Sequence, residues 1–153
     1  MKASAFESAI PTDEPILLDT SAVLAYLSGS EVASEAATSV IDGFLATGRN
    51  PGIVSAITVT EAFVRPMRAE SATAVQLVED FLLRFPNLRV EPVTIAVARE
   101  AARIRAATTS PTPDALILAT AVVAPASIVV GSDASWSSVA KRSGLTVRVV
   151  VLG

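Results

Sequence analysis

The chain contains neither cysteine nor histidine. The first absence removes disulfides, thiolate metal sites and cysteine nucleophiles. The second removes Ser-His-Asp triads, histidine-ligated zinc and a histidine general base. Acid–base or metal chemistry therefore falls to carboxylates, whose oxygens select hard cations such as Mg2+ or Mn2+. Charged residues are scarce at 18%, against 51% hydrophobic, a balance that argues against disorder. Only 5% are aromatic, and much of the apolar content is Ala and Val, which suits close packing of helices on a sheet. No apolar run reaches the roughly 20 residues of a membrane span. The stretch 1–15 carries Glu7, Asp13 and Glu14 and lacks the apolar segment of a signal peptide. A chain of 153 residues with these properties is expected to be a single cytoplasmic domain with a sizeable core and no membrane partner.

What is present is a rhythm of short apolar runs and helical stretches. Ile16-Leu17-Leu18 reads as a continuously apolar strand of the kind found inside a parallel sheet. Asp19 follows at once, then Thr20 and Ser21, hydroxyls able to cap a helix that begins near Ala22 and runs to about Leu27. Ser30 is placed to cap a helix over 31–47 closed by Gly48. A turn at Asn50-Pro51-Gly52 leads to a strand at 53–55 and helices over 57–69 and 72–85. A strand over 88–93 ends near Pro92, and an Ala-rich helix covers 94–107. Thr112 is expected to cap a helix over 113–124, with Pro113 in its first turn. The remainder reads as a strand at 127–131, a helix at 135–142 and a strand at 146–152. Residues 1–15, punctuated by Pro11 and Pro15, are expected to form an extension, partly disordered or lying on the surface. Strands alternating with helices predict an α/β fold with a mainly parallel sheet.

Net charge is −3, which speaks against a broadly basic nucleic-acid surface. The distribution tells more. Of the 12 basic residues all but Lys2 and Lys141 are Arg, the side chain suited to forked phosphate contacts. Arg65 with Arg68, and Arg99 with Arg103 and Arg105, form clusters whose ordinary role is to solvate a helix face.

Four acids stand out by position. Asp19 and Asp133 each end an apolar strand, and Glu61 and Asp114 lie near helix starts that follow strands or loops. Each has an ordinary role as well. Asp19 and Asp133 can cap the following helices, Glu61 can pair with Arg65 four residues on, and Asp114 suits the positive end of a helix dipole. Together, in a parallel sheet, all four fall on the edge where such folds bind ligands. Two carboxylates roughly 4 Å apart repel by about 4 kcal/mol at an effective dielectric of 20. A cluster of four persists only if some are protonated or a cation sits among them, as in the carboxylate cages that hold Mg2+ for phosphodiester cleavage.

The order Leu17-Leu18-Asp19-Thr20-Ser21-Ala22, Thr60-Glu61-Ala62, Pro113-Asp114-Ala115-Leu116-Ile117-Leu118-Ala119-Thr120-Ala121 and Ser132-Asp133 resembles PIN-domain ribonucleases, most of all the VapC-type toxins of bacterial toxin–antitoxin pairs. The third block is the most specific, and Arg103-Ile104-Arg105-Ala106 upstream of it also fits. The resemblance runs from Ile16 to the C-terminus, giving an extension at 1–15 and a PIN domain at 16–153. It implies a three-layer α/β/α fold around a central, mainly parallel sheet of about four to five strands. Gly131-Ser132 departs from the pair usual before the last acid, and Trp136 stands where Phe more often follows it.

The resemblance implies that Asp19, Glu61, Asp114 and Asp133 form the acidic set binding Mg2+ or Mn2+. Thr20 or Ser21 would support the first acid and Ser132 would flank the last, with Arg65, Arg68 and Arg105 as candidates for guiding RNA. The activity implied is metal-dependent endoribonucleolysis. A homodimer and a cognate protein antitoxin covering the acidic groove are implied with it. Two rivals remain. A catalytically idle PIN-like module would keep the fold and use the groove for a partner. An aspartate-based phosphatase or phosphotransfer protein needs an Asp-x-Asp pair or a lysine near the active edge; Asp19-Thr20-Ser21 lacks the second Asp, and Lys2 and Lys141 are poorly placed. Trp136 is read as a core or interface residue, and Glu79 and Asp80 as a solvated helix face.

Overall fold

The computed structural model of the protein describes residues 3–153; Met1 and Lys2, one of the two lysines weighed above, lie outside the described residues. Five strands form one sheet: β1 (Ile16–Leu18), β2 (Gly52–Ser55), β3 (Leu88–Glu91), β4 (Ile128–Gly131) and β5 (Arg148–Val151). Their order is β3-β2-β1-β4-β5, and every neighbouring pair is parallel. The chain enters at the centre, builds outward through β2 and β3, then crosses back to add β4 and β5 on the other side of β1. The direction of winding therefore reverses between β1 and β4. In open α/β sheets that is the point outside which ligands bind.

Helices fill both faces. They are α1 (Ala3–Ala9), α2 (Thr20–Ser28), α3 (Ser34–Val40), α4 (Ala56–Arg68), α5 (Ala72–Arg84), α6 (Ile95–Ala107), α7 (Thr112–Val123) and α8 (Ser135–Arg142). Successive strand residues point to opposite faces, and the buried strands use both. Ile16, Leu18, Val54, Ile128 and Val130 pack into one core with residues of α1, α2, α3 and α5. Leu17, Ile53 and Val129, which lie side by side in the register, pack into the other with residues of α6, α7 and α8. This is the expected three-layer α/β/α arrangement. Trp136 is 5% exposed inside the second core, in the role read from the sequence.

Three local expectations need correction. Residues 3–9 are helical, and Phe6 and Ile10 are fully buried against the first core, so this part of the N-terminal segment is neither disordered nor superficial. Burial of two such side chains is worth about 1.5–3 kcal/mol each, enough to hold a two-turn helix despite Pro11 beyond it. The helix expected over 31–47 starts later, at Ser34. Ser30 does not cap it; instead Ser34 Oγ donates to the Ala25 carbonyl at 2.6 Å and accepts from the Glu31 N–H at 3.0 Å, pinning the connection to α2. That helix runs into a π-helical turn over Ile41–Leu45, where the Ala46 N–H reaches back to Ile41 O at 3.0 Å. α7 begins at Thr112, one residue early, because Pro111, extended at ψ 154°, takes the capping place.

Candidate metal centre at the C-terminal edge

The site is assembled where β1 and β4 end and where α4 and α7 begin. β1 stops at Leu18, and the Asp19 N–H bonds the Val130 carbonyl of β4 at 2.9 Å, so the two strand ends are locked together at the winding reversal. Asp19 is extended at φ −68° and ψ 158°, caps α2, and is 7% exposed. Its Oδ2 accepts from Ser21 Oγ at 2.6 Å and, more weakly, from the Ser21 N–H at 3.4 Å. Ser21 Oγ in turn accepts from the Ser132 N–H at 2.9 Å, a second tie between the ends of β1 and β4. The capping role open to Asp19 is thus realised, at the same place as the site.

Glu61 does not form the helical ion pair with Arg65. Its Oε1 accepts from Thr20 Oγ1 at 2.7 Å. Thr20 has one hydroxyl proton and spends it there, so the 3.0 Å contact with Thr58 Oγ1 is donated by Thr58. Thr58 is fully buried, and the chain Thr58–Thr20–Glu61 joins α4 to the start of α2. Thr20 therefore supports Glu61, while Ser21 supports Asp19. Asp133 lies beyond β4, exposed, with Oδ1 accepting from the Ser135 N–H at 2.8 Å.

Asp114 sits in the first turn of α7, partly exposed, and its carboxylate makes no hydrogen bond among the described residues. Its carboxyl is pushed above the ordinary range, first by desolvation, then by the charges of Asp19, Glu61 and Asp133. Asp19 is pushed up as well, chiefly by burial and in small part by Glu61, against the hydrogen bonds from Ser21 and Thr20 that favour its charged form. The four positions chosen from the sequence thus act on one another through space. As the side chains stand, no three acids among the described residues close around one ion-sized point. Three of the four are turned toward the Ser21, Thr20 and Ser135 donors just described. The donor set itself is all carboxylate oxygen, which favours a hard divalent cation.

Two features of the site escaped the sequence. Thr58 stands three residues before Glu61, one helical turn below it, a spacing that would have placed both on one face of α4. Gly131 was noted only as unusual. A Cβ there would lie 3.0 Å from Asp19 Cβ, 3.0 Å from Asp19 Oδ2 and 3.2 Å from Ser21 Oγ, so the missing side chain is what gives Asp19 its place. Of the basic candidates, Arg65 and Arg68 are exposed on α4 with no ion pair among the described residues. Arg105 donates Nε to the Ser110 carbonyl at 3.1 Å and so braces the loop that delivers Asp114.

A parallel, doubly wound sheet with carboxylates gathered outside its winding reversal defines a class of acidic-edge α/β domains. A family profile described as the PIN domain matches residues 16–142, and the chain belongs to that family. Solved structures agree in fold. VapBC2 from Rickettsia felis bound to a DNA fragment from its promoter is similar over 88% of this chain and 98% of that chain, with 14% identity and a TM-score of 0.66. VapC20 from Mycobacterium tuberculosis, described as a Sarcin-Ricin loop cleaving toxin, is similar over 80% and 93%, with 17% identity and a TM-score of 0.66. FitAcB from Neisseria gonorrhoeae is similar over 86% and 95%, with 22% identity and a TM-score of 0.65. No curated protein matches the chain. Among the described residues no helix is long and apolar enough to cross a membrane.

Proposed function

We propose that the protein is a divalent-metal-dependent endoribonuclease and the toxin of a type II toxin–antitoxin pair. The observation that carries this reading is the placement of Asp19, Glu61, Asp114 and Asp133 at the edge where such sheets act on ligands, with the Asp114 carboxyl raised first by burial and then by the charges of the other three. In this reading Asp19 and Asp114 would be the firmest metal ligands, with Glu61 and Asp133 completing the set. A Mg2+ or Mn2+ held there would supply Lewis-acid chemistry for phosphodiester hydrolysis. The chain's own part is orientation. Ser21 fixes Asp19, the Thr58–Thr20 pair fixes Glu61, Gly131 leaves room for Asp19, and Arg105 holds the loop before Asp114.

The partner assignment is supported by the toxin–antitoxin complexes among the similar structures and by an open apolar groove between α2, α4 and α5. Leu24, Leu27, Ala62 and Leu77 line it, with Glu31 and Arg65 at its rim. Its occupant in this reading is an apolar segment of the antitoxin. A homodimer goes with the same reading.

The deciding experiment compares the protein with Asp19→Asn and Asp114→Asn variants on a mixed RNA pool, with and without Mg2+ or Mn2+. Cleavage that requires metal and vanishes in both variants is expected. A folded protein that neither binds metal nor cuts would reject the nuclease and leave a partner-binding PIN-like module.

A further inference from the structure

Beside Asp114 a cleft opens between the loop before α7 and the length of α8. Thr109, Asp114, Ser135, Trp136, Ser138 and Arg142 line it, and it encloses about 210 Å³. That is below the roughly 300–1,000 Å³ of a small-molecule pocket, a size suited to one sugar-phosphate portion of a longer chain. Ser135, Ser138 and Arg142 fall at helical spacing along one face of α8. The stripe begins two residues after Asp133 and ends in a cation roughly 10 Å further along the helix.

Arg142 is exposed and makes no side-chain hydrogen bond or ion pair among the described residues, unlike Arg49, Arg84, Arg89, Arg103 and Arg105. An unengaged guanidinium offers forked donors to a phosphate. An edge carrying four acids repels RNA unless a cation stands beside it, and Arg142 lines the same cleft as Asp114. We infer that the cleft between α7 and α8 is a phosphate-binding subsite for single-stranded RNA beside the scissile bond, with Arg142 as its anchoring cation. The inference rests on the nuclease reading and adds the direction in which the strand leaves the acids.

The test is steady-state cleavage of mixed-sequence single-stranded RNA at constant Mg2+, between about 50 and 200 mM salt. Arg142→Gln is expected to raise KM about tenfold with kcat unchanged. The slope of log kcat/KM against log salt should become shallower by about 0.7, the share of one phosphate on a single strand. Arg142→Lys should recover the slope while recovering KM only in part, because a point charge lacks the fork. Arg148→Gln, at the start of β5 on the opposite edge, should change neither. Wild-type cleavage with an unaltered KM and slope in Arg142→Gln would overturn the subsite and leave the nuclease standing. Absence of metal-dependent cleavage in the wild-type chain would overturn the nuclease reading and the subsite with it.

Discussion

At the edge where the strands begin, Asn50 is fully buried, and each of its polar side-chain atoms is bonded. Its Nδ2 donates to the Pro11 and Glu14 carbonyls at 2.8 and 2.9 Å, and its Oδ1 accepts from Arg49 Nη1 at 2.6 Å. Arg49 also donates to the Ile10 carbonyl at 2.8 Å and lies over the Phe44 ring, 4.1 Å from its centroid. Ser127 donates to Glu14, joining the entrances of β4 and β1. At the edge where the same strands end, acids face acids, and the Asp114 carboxylate accepts no hydrogen bond among the described residues. One edge is complete in itself and specifies the fold. The other holds unfavourable charge that a bound cation would relieve. Bonds that specify the fold and charges left unrelieved thus lie at opposite ends of the same short strands.

The largest effect is expected from neutralising the acidic edge. Asp114→Asn should reduce cleavage by more than the roughly 10–100-fold typical of losing a ligand's supporting partner. Without metal the same change should stabilise the fold, because it deletes a charge that three neighbours oppose. The gain would appear as a rise in Tm. Thermal unfolding in EDTA checks this, and a lowered Tm would contradict the contrast between the edges. Asn50→Ala should do the reverse. It strands the Pro11 and Glu14 carbonyls and one Arg49 donor, at about 1–3 kcal/mol for each group left unpaired. Urea unfolding should show the loss, while cleavage per folded molecule stays unchanged.

These two edges were unequally legible in the sequence. β1, β2 and β4 declared themselves as short apolar runs closed by an acid or a hydroxyl, and the acids were found because they stand at the ends of such strands or near the helix starts that follow strands or loops. Asn50 read only as a turn residue, since the carbonyls it satisfies come from residues 11 and 14, far away along the chain. α1 was overlooked because the prolines after it outweighed the Phe6 and Ile10 pair, four residues apart, that drives it into the core. Arg142 drew no notice in the sequence, because what gives it a place is the fold, which sets α8 beside the start of α7. What was missed in each case is a contact between distant segments.

A smaller effect probes how the acidic edge is held. Thr58→Val keeps the shape of a buried side chain and removes the hydroxyl that donates to Thr20. Thr20 can then turn from Glu61. Metal affinity measured by calorimetry is expected to fall about tenfold, in the range for a ligand's supporting partner. Unchanged affinity would make the threonine pair a packing feature of α2 and α4.

The smallest effect tests an acid that belongs to neither edge. Asp42 accepts from Tyr26 Oη at 2.8 Å, and the Tyr26 ring packs on Phe81 and Phe85 with centroids 5.1 and 6.0 Å away. Burial, then the hydrogen bond to Asp42 and its charge, push the Tyr26 phenol up to about 12. The folded chain therefore keeps this proton through a range where the unfolded chain, near 10.0, has released it. The contribution to stability is complete below the unfolded value and is lost as pH rises through the folded one. Tyr26 is the one tyrosine in the sequence, so phenolate absorbance reports it alone. The native midpoint should lie about two units above that of the denatured chain, and Tyr26→Phe should abolish the signal at a cost of about 1 kcal/mol. Asp42→Asn should lower both the midpoint and the stability slightly, the opposite sign to Asp114→Asn. Two carboxylates in one chain would then respond to the same substitution in opposite directions, because one accepts from a donor while the other is raised by burial and by neighbouring carboxylates.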